Sequence, residues 1–370
     1  MREKITKHAN ISIFIPHNGC PCSCSFCNQR SITGQKSQPT PEEVRQEIFA
    51  AGEYMAAHSE KQLGGRYGID TSTDKFGDAN EINANDISEN HHNADTQIAF
   101  FGGSFTAIDR EYMLSLLKVA DECVKKYNFD GIRISTRPDK IDREILEILK
   151  TYGVKAIELG AQSMCDDVLF ANDRGHTAED VEKAVSLIKD FGFELGLQMM
   201  TGLYKDTDEK AAETAQKLIS LKPETVRIYP TAVLKSTKLE ELFLIGEYKP
   251  QSVEQAVNLC ADLLMKFEQT DIKVIRVGLH AQDEIGSEVI AGAYHPAFKE
   301  LCMSRIFLKN LLKVLSKFAF GRYTVKVNQK SLSVANGQKK ENIEKLSQLG
   351  YEVKFQADNE IDLGRFKVLN

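Results

Sequence analysis

The chain has 370 residues, of which 42% are hydrophobic and 27% charged, and its formal net charge is −6 at pH 7. This length suits one large barrel with a small appendage, or two ordinary domains. The acidic balance argues against a protein whose whole surface binds nucleic acid. No apolar run approaches the ~20 residues that span a bilayer, and residues 1–10 resemble neither a secretory signal nor an anchor. We therefore expect a cytoplasmic protein with no membrane partner.

Short apolar runs alternate with longer amphipathic stretches along much of the chain. The predicted strands are Ile11–Ile15, Ile98–Phe101, Ile132–Ser135, Ala156–Leu159, Leu195–Met200 and Val226–Tyr229. The predicted helices are Pro41–Met55, Arg110–Tyr127, Asp142–Thr151, Ala178–Phe191 and Asp208–Leu221. This alternation predicts an α/β fold with parallel strands and right-handed crossovers. Six strands and five helices favour a partial (β/α)6 barrel, TIM-like, over a doubly wound sheet, although periodicity alone does not close a barrel.

Residues 59–95 interrupt this alternation. They are rich in Asn, Asp, Ser and Gly and contain few large apolar side chains. Such a composition cannot bury enough surface to offset the entropy of ordering, so we predict a disordered insertion between the first helix and the second strand. His91 and His92 fall within it, and the composition favours a solvated pair over a metal site.

Three cysteines, Cys20, Cys24 and Cys27, are spaced as CxxxCxxC between the first strand and the first helix. Thiolate sulfur is the usual ligand of iron–sulfur clusters, so this spacing predicts a [4Fe–4S] cluster. The fourth iron of that cluster would be open to a small chelating molecule. This is the arrangement that a radical S-adenosylmethionine (SAM) enzyme requires.

The remaining cysteines leave other roles to consider. Cys22 would complete four ligands for zinc, but alternate positions would crowd one small ion, and no second ligand pair follows. A structural disulfide is not expected in a chain without a secretory signal. We predict that Cys22 is a spectator and that the scattered cysteines are small buried apolar residues. The scattered cysteines are Cys123, Cys165, Cys260 and Cys302.

Further motifs follow at the ends of the predicted strands. They are Gly102–Ile108 (GGSFTAI), Ile134–Asp139 (ISTRPD), Glu158–Leu169 (ELGAQSMCDDVL), Asn172–Thr177 (NDRGHT) and Arg227–Thr237 (RIYPTAVLKST). In this order they resemble the radical SAM domain of the Elongator catalytic subunit family and its short bacterial relatives, over roughly residues 10–290. The resemblance implies a radical SAM barrel over residues 1–320 that holds a [4Fe–4S] cluster and SAM. It also implies reductive cleavage of SAM to methionine and a 5′-deoxyadenosyl radical, which removes a hydrogen atom from the substrate.

The resemblance also places residues around SAM. Phe26 would lie beside the adenine, and the turn of Gly102, Gly103 and Ser104 would pair with the amino group. The family often has Glu or Thr where this chain has Ser104, so the backbone carbonyls of the turn must provide more of that contact. Glycine at a strand end also lets the backbone approach a ligand closely.

The ends of the next three strands supply the other expected SAM contacts. Ser135 and Arg137 would face the ribose and the carboxylate, since a guanidinium pairs with a carboxylate through two hydrogen bonds. Glu158, Gln162 and Gln198 would lie near the ribose hydroxyls, with an outward-facing surface Glu as the alternative for Glu158.

Four more residues are candidates for the site without an assigned partner. Thr177 would cap the following helix, which leaves Arg174 and His176 to contact either the cofactor or the substrate. Tyr229 and Lys235 lie at the end of the sixth strand and in its loop, where they would select the substrate. No residue is assigned as a catalytic acid or base.

Residues 321–370 depart from the Elongator pattern, because these 50 residues are too few for the acetyltransferase domain, which we therefore do not expect after the barrel. We predict a small α/β extension there. Its strands are Tyr323–Val327 and Tyr351–Phe355, and its helix is Glu341–Leu349. The basic loop Gly337–Lys340 (GQKK) is similar to the GXXG backbone clamp of a KH module, although Lys340 replaces the second glycine. A plain α/β cap on the barrel is the alternative.

Three functions remain open, because fold and cofactor do not fix a substrate. The first is modification of a tRNA uridine or another RNA. The second is small-molecule radical chemistry of the kind represented by oxygen-independent coproporphyrinogen oxidases. The third is a non-enzymatic iron–sulfur electron carrier or sensor, which the SAM-binding motifs disfavour. An enzyme of this kind would need a low-potential electron donor of the flavodoxin or ferredoxin type.

Overall fold

The computed structural model describes residues 9–16, 20, 24–28, 37–59, 96–279 and 283–369. The strands are β1 Ala9–Ile15, β2 Thr96–Gly102, β3 Gly131–Thr136, β4 Val154–Gln162, β5 Glu194–Thr201, β6 Thr225–Pro230, β7 Ala232–Leu234, β8 Lys273–Val277, β9 Val289–Gly292, β10 Gly321–Val327, β11 Tyr351–Ala357 and β12 Phe366–Leu369. The α-helices are α1 Pro41–Ser59, α2 Arg110–Tyr127, α3 Arg143–Thr151, α4 Asp166–Ala171, α5 Ala178–Asp190, α6 Asp208–Ser220, α7 Lys238–Leu244, α8 Val253–Phe267, α9 Asp283–Glu288, α10 Phe298–Leu315, α11 Leu332–Asn336 and α12 Glu341–Gln348. Residues 60–95 of the predicted insertion, with His91 and His92, lie outside the described residues, as does Cys22.

The main sheet has the strand order β1-β2-β3-β4-β5-β6-β8. The predicted alternation of strands and helices is confirmed, and β8 adds a seventh strand that was not predicted. The chain divides into two compact units, Met1–Gln198 with Gln282–Glu288, and Met199–Ala281 with Val289–Asn370. Within the described residues, none of the helices combines the length and apolar character needed to cross a bilayer.

In the first unit, β1 to β4 pair in parallel, so their C-terminal ends lie along one edge. Ile15 lies opposite Gly102, and Ser135 lies opposite Glu158. The interior of β2 is buried continuously, with Ile98 and Phe100 no more than 1% exposed. Such burial is typical of parallel strands covered on both faces. The candidate cofactor residues of β2, β3 and β4 therefore meet at one edge of the sheet.

Two predicted helix starts are confirmed by reciprocal capping bonds. At α1, the Glu43 amide donates to Thr40 Oγ1 at 3.2 Å, and the Thr40 amide donates to Glu43 Oε2 at 2.7 Å. At α5, the Asp180 amide donates to Thr177 Oγ1 at 3.2 Å, and the Thr177 amide donates to Asp180 Oδ2 at 2.8 Å. Each pair satisfies backbone donors that a helix N-terminus leaves open. The second cap also anchors the end of the Asn172–Thr177 segment.

In the second unit, β6 pairs with β8 in parallel and β7 pairs with β9 in antiparallel. A separate three-stranded sheet has the order β11-β10-β12, in which β10 is parallel to β11 and antiparallel to β12. Its core includes Leu311 and Leu315 of α10, Val325 of β10 and Leu346 of α12. The predicted elements of the C-terminal extension are confirmed, whereas α11 and β12 were not predicted. The domain boundary at residue 320 stays a prediction.

Candidate functional site

The turn that contains Cys24 and Cys27 is tied to the loop after α4. The Cys27 amide donates to the Cys24 carbonyl at 3.1 Å, which closes the turn. The Ser25 amide donates to the Asn172 carbonyl at 3.2 Å, and Ser25 Oγ donates to Asn172 Oδ1 at 2.7 Å. Ser25 and Asn172 are both fully buried. These bonds hold the last two cysteines of the motif against the Asn172–Thr177 segment, a contact that the sequence did not indicate.

Arg174 joins three parts of the site. Its Nη1 donates to Cys24 Sγ at 3.1 Å, and its Nη2 donates to the Gly160 carbonyl of β4 at 2.7 Å. Its Cζ lies 5.9 Å from the centre of the Phe26 ring, within the range of a cation–π contact. The residue is only 6% exposed. The buried guanidinium thus fixes a predicted ligand thiol and the predicted adenine neighbour to the end of β4.

Cys20 lies next to the glycine turn at the end of β2. The Ser104 amide donates a hydrogen bond to the Cys20 sulfur. Although Cys20 is exposed, desolvation raises the pKa of its thiol, with a further upward contribution from Cys24. The guanidinium groups of Arg137 and Arg174 lower that pKa. Both arginines are therefore close enough to stabilise negative charge on the sulfur.

The glycine turn has a backbone geometry that side chains disfavour. The Gly103 amide donates to the Ile15 carbonyl at 2.7 Å. Gly102 has φ +108°, and a Cβ at this position would lie 2.8 Å from the Ile15 carbonyl oxygen. Ser104 Oγ lies 2.9 Å from Thr136 Oγ1 and accepts from the Arg137 amide at 3.2 Å. The Ser104 hydroxyl is therefore occupied in linking the turn to β3.

We expect Gly102→Ala to lower the free energy of unfolding by about 2–4 kcal/mol, because strain at positive φ adds to a clash with backbone. Gly246→Ala is the matched control: Gly246 has φ +80° but open space around the Cβ position, so it should lose only about 1 kcal/mol. Urea unfolding of both variants measures the difference. Equal losses would show that the close approach to Ile15 carries no cost.

Ser135, Glu158 and Gln198 are brought together on the adjacent strands β3, β4 and β5. Gln198 Nε2 donates to Glu158 Oε2 at 3.0 Å and to Ser135 Oγ at 3.4 Å. Glu158 is 1% exposed and forms an ion pair with Arg133 at 3.4 Å. The alternative of an outward-facing surface Glu158 is therefore wrong. Arg133 also pairs with Glu194 at 2.8 Å, so part of this polar cluster supports the sheet itself.

The other two predicted SAM contacts also lie at this end of the first unit. Arg137 is 4% exposed, and its Nε donates to Asp139 Oδ1 at 2.8 Å. Gln162 adopts φ 65°, which is uncommon for a residue with a side chain. Its Oε1 is buried without a hydrogen-bond partner among the described residues. A buried acceptor is costly to leave unsatisfied. This oxygen therefore favours a polar ligand that donates a hydrogen bond to Gln162.

His176 is buried against the end of β4. Its Nε2 lies 3.2 Å from the Ala161 carbonyl, and its Nδ1 is buried without a hydrogen-bond partner in the described part of the chain. Burial, assisted by the nearby Arg174 charge, lowers the pKa of His176 from 6.5 to about 4. The imidazole is therefore neutral at pH 7, when Nε2 can donate to the carbonyl and leave Nδ1 as an acceptor.

This shift predicts how stability depends on pH. The unfolded chain binds a proton on His176 below pH 6.5, whereas the folded chain resists it down to about pH 4. The folded state therefore loses stability as the pH falls through this window, by about 2 kcal/mol between pH 7 and pH 5 from this residue. The difference in unfolding free energy between wild type and His176→Gln, measured at both pH values, should change by that amount. A constant difference would contradict the assignment.

The residues present fit the predicted iron–sulfur and SAM pair by their chemistry. The donor set is three thiols with two arginines close by, and Arg174 already donates to one sulfur. No three His, Cys, Asp or Glu side chains are gathered tightly enough to hold a metal ion within the described residues. Residues 17–19 and 21–23, which connect the cysteines, lie outside that part of the chain. The assignment of the three ligands stays a prediction.

Other candidates do not join this cluster. Tyr229 of β6 and Lys235, just after β7, belong to the second compact unit. Cys123, Cys260 and Cys302 are fully buried, as predicted. Cys165 precedes α4 and is partly exposed, so the prediction of burial was wrong there. Cys165 ends the short connection between β4 and α4, which leaves this side chain near the surface.

Known proteins are similar to this chain over the region that contains these motifs. Residues 76–218 match the radical SAM superfamily, and residues 223–307 match the radical SAM C-terminal domain. The chain is 30% identical over 184 residues to the tRNA uridine(34) acetyltransferase of Methanocaldococcus jannaschii, covering 44% of this chain and 34% of that protein. It is 28% identical over 237 residues to human Elongator complex protein 3, covering 58% of this chain and 42% of that protein. The chain thus spans less than half the length of these two relatives.

A solved structure shows the fold. The Elp3 of Methanocaldococcus infernus, with an N-terminal deletion, superposes with a TM-score of 0.59 at 20% identity, over 83% of this chain and 64% of that one. The likeness confirms the predicted partial barrel with parallel strands. The two family matches, together with the cysteine motif, lead to one conclusion: the chain belongs to the radical SAM superfamily of enzymes.

Proposed function

We propose that this protein cleaves SAM reductively at a [4Fe–4S] cluster held by Cys20, Cys24 and Cys27. The observation that supports this best is the bond from buried Arg174 to Cys24 Sγ, made across 150 residues of sequence. A buried cation is costly unless it meets negative charge, and a cluster thiolate supplies that charge. A cluster on these three thiolates would supply the single electron needed for reductive cleavage of SAM to methionine and a 5′-deoxyadenosyl radical.

The side chains of the first unit would bind and orient SAM. The amide of Gln198 lies 3.0 Å from the Glu158 carboxylate and 3.4 Å from the Ser135 hydroxyl, a set of polar groups that suits a ribose diol. The free acceptor of Gln162 lies on the same strand as Glu158 and would take a donor from the ligand. Arg137, buried beside Cys20, would hold the carboxylate by charge.

RNA is the substrate class that we propose, with a tRNA uridine as the first candidate. Two relatives support it: one is named for acetylation of tRNA uridine 34, and another is the Elongator complex protein 3. Reduction of the cluster would need a flavodoxin or ferredoxin as the electron donor. Because the radical would be formed inside the first unit, the side chains around it must exclude water and oxygen.

The test is an anaerobic assay of the reconstituted, reduced protein. With SAM, we expect 5′-deoxyadenosine, formed faster when a tRNA mixture is present than when coproporphyrinogen is present. tRNA from cells grown in deuterated medium should transfer deuterium into the product. Stimulation by coproporphyrinogen alone would reassign the substrate to small molecules. A complete cluster that never cleaves SAM would overturn the enzyme proposal.

A further inference from the structure

The loop Gly337–Lys340 connects α11 and α12 in the C-terminal sheet. Gly337 has φ 74°, Lys339 φ 50° and Lys340 φ 67°. Left-handed backbone at two consecutive lysines is uncommon, since a side chain costs energy there. Lys340 therefore holds a left-handed conformation of the kind that glycine adopts without steric cost.

Buried contacts hold this loop in place. Asn342 is 3% exposed, and its Nδ2 donates to the Ala335 carbonyl at 3.0 Å and to Ser304 Oγ at 2.9 Å. A Cβ on Gly337 would lie 3.1 Å from Asn342 Cγ, so the backbone passes close to this side chain. The loop is therefore ordered by its surroundings before any ligand arrives, which lowers the entropy cost of binding.

The two lysines are presented to solvent. Lys339 and Lys340 are both exposed, and neither pairs with a carboxylate in the described part of the chain. The neighbouring acid, Glu341, is paired with Lys345 and with Arg305, which leaves the positive charge of the loop uncompensated. Residues 321–370 carry nine Lys and Arg against six Asp and Glu, in a chain whose net charge is −6. The extension is thus a basic segment of an acidic protein.

The topology around the loop is strand, helix, loop, helix, strand. β10 leads to α11, the loop leads to α12, and α12 leads back to β11, which lies parallel to β10 at an edge of the sheet. Lys354, on edge strand β11, is also exposed. KH modules clamp the backbone of single-stranded nucleic acid with a GXXG loop, and the basic Gly337–Lys340 loop between α11 and α12 resembles that loop.

We propose that the Gly337–Lys340 loop binds the phosphodiester backbone of single-stranded RNA and so delivers an RNA substrate to this protein. The inference rests on the proposed function for its choice of RNA, whereas the binding itself requires no cluster chemistry. The two consecutive, exposed lysines favour this role over a plain α/β cap. Charge attraction to phosphates is the recognising interaction.

The test uses the full-length reconstituted protein and a short labelled single-stranded RNA of mixed sequence. Fluorescence anisotropy over a salt series gives the affinity and its salt slope. Lys339→Glu/Lys340→Glu should weaken binding by about tenfold or more, and should reduce the slope of log K against log salt by about 1.4. Lys118→Glu/Lys222→Glu makes the same charge change at exposed lysines outside the loop and should alter affinity less than about twofold.

A second variant distinguishes loss of RNA binding from misfolding of the loop. Lys340→Gly suits the left-handed φ, so it should fold at least as well as wild type and reduce the salt slope by about 0.7. Equal losses in the loop and control variants, or an unchanged affinity in the loop variant, would overturn the inference. Duplex RNA or single-stranded DNA bound as tightly through the loop would overturn the assignment to single-stranded RNA.

The assay of SAM cleavage without RNA separates this inference from the proposed function. The loop variant should form 5′-deoxyadenosine at the wild-type rate. SAM cleavage without loop-dependent RNA binding would contradict the inference about the loop but not the proposed function. Loop-dependent RNA binding by a protein that never cleaves SAM would contradict the proposed function but would support RNA binding by the loop.

Discussion

Cys24→Ala is expected to abolish iron binding and SAM cleavage together. Each of the three thiolates would hold one iron, so removal of one leaves an incomplete ligand set. Cys24 is also the thiol that accepts from Arg174, at 3.1 Å. Its loss would therefore leave a buried guanidinium without that partner as well. Iron and sulfide content after anaerobic reconstitution measures the first effect, and 5′-deoxyadenosine formation measures the second. Cys20→Ala and Cys27→Ala should behave alike.

Cys22→Ala is the matched control for this result, because it removes a thiol from the same segment. The spectator assignment predicts full iron content and full cleavage in this variant. If Cys22→Ala lost the metal as completely as Cys24→Ala, the four-cysteine zinc interpretation would gain support. Full iron content in Cys24→Ala would contradict the cluster assignment.

Arg174→Gln is expected to make the bound cluster harder to reduce and the fold less stable. A donor to a ligand sulfur stabilises added negative charge, so its removal shifts the reduction potential to more negative values. The same change removes the bond to the Gly160 carbonyl, at a cost of about 2 kcal/mol in unfolding free energy. Potentiometric titration followed by EPR measures the first effect, and denaturant unfolding the second.

Two further variants serve as comparisons for Arg174→Gln. Arg174→Lys keeps the charge but not the planar guanidinium that bonds Cys24 and Gly160 at once. Its reduction potential should therefore lie closer to the wild-type value than that of Arg174→Gln, whereas its unfolding free energy should stay reduced. Arg110→Gln removes an exposed arginine that pairs with Glu144 on the surface, and should change neither quantity appreciably. A reduction potential unchanged in Arg174→Gln would contradict a role beside the cluster.

The strands at the site could be predicted from the sequence because they are buried on both faces. Continuous apolar runs such as Ile98–Phe101 are 0–1% exposed over Ile98, Ala99 and Phe100, and their motifs follow where each strand ends. β8 was not predicted, since its residues before Val277 are exposed or only partly buried and give a weak apolar signal. Element prediction succeeded where burial dominated the pattern.

The contacts that organise the cysteine turn could not be predicted from the sequence. Ser25 and Asn172 are 147 residues apart, and Cys24 and Arg174 are 150 residues apart. No local periodicity reports such pairs, because they form only when the chain folds around the sheet. Arg174 was singled out only as a polar residue without an evident capping role, and its partner came from the structure. Composition alone could not separate a buried Glu158 from an exposed one.

The measurement that tests the central claim most directly is the low-temperature EPR spectrum of the reduced protein before and after addition of SAM. The three-cysteine assignment leaves one iron open, so SAM should bind there and change the g values of the cluster signal. The change should occur without RNA or any other substrate. A full complement of iron with an identical spectrum in the presence of SAM would contradict the account and identify a closed electron-transfer cluster instead.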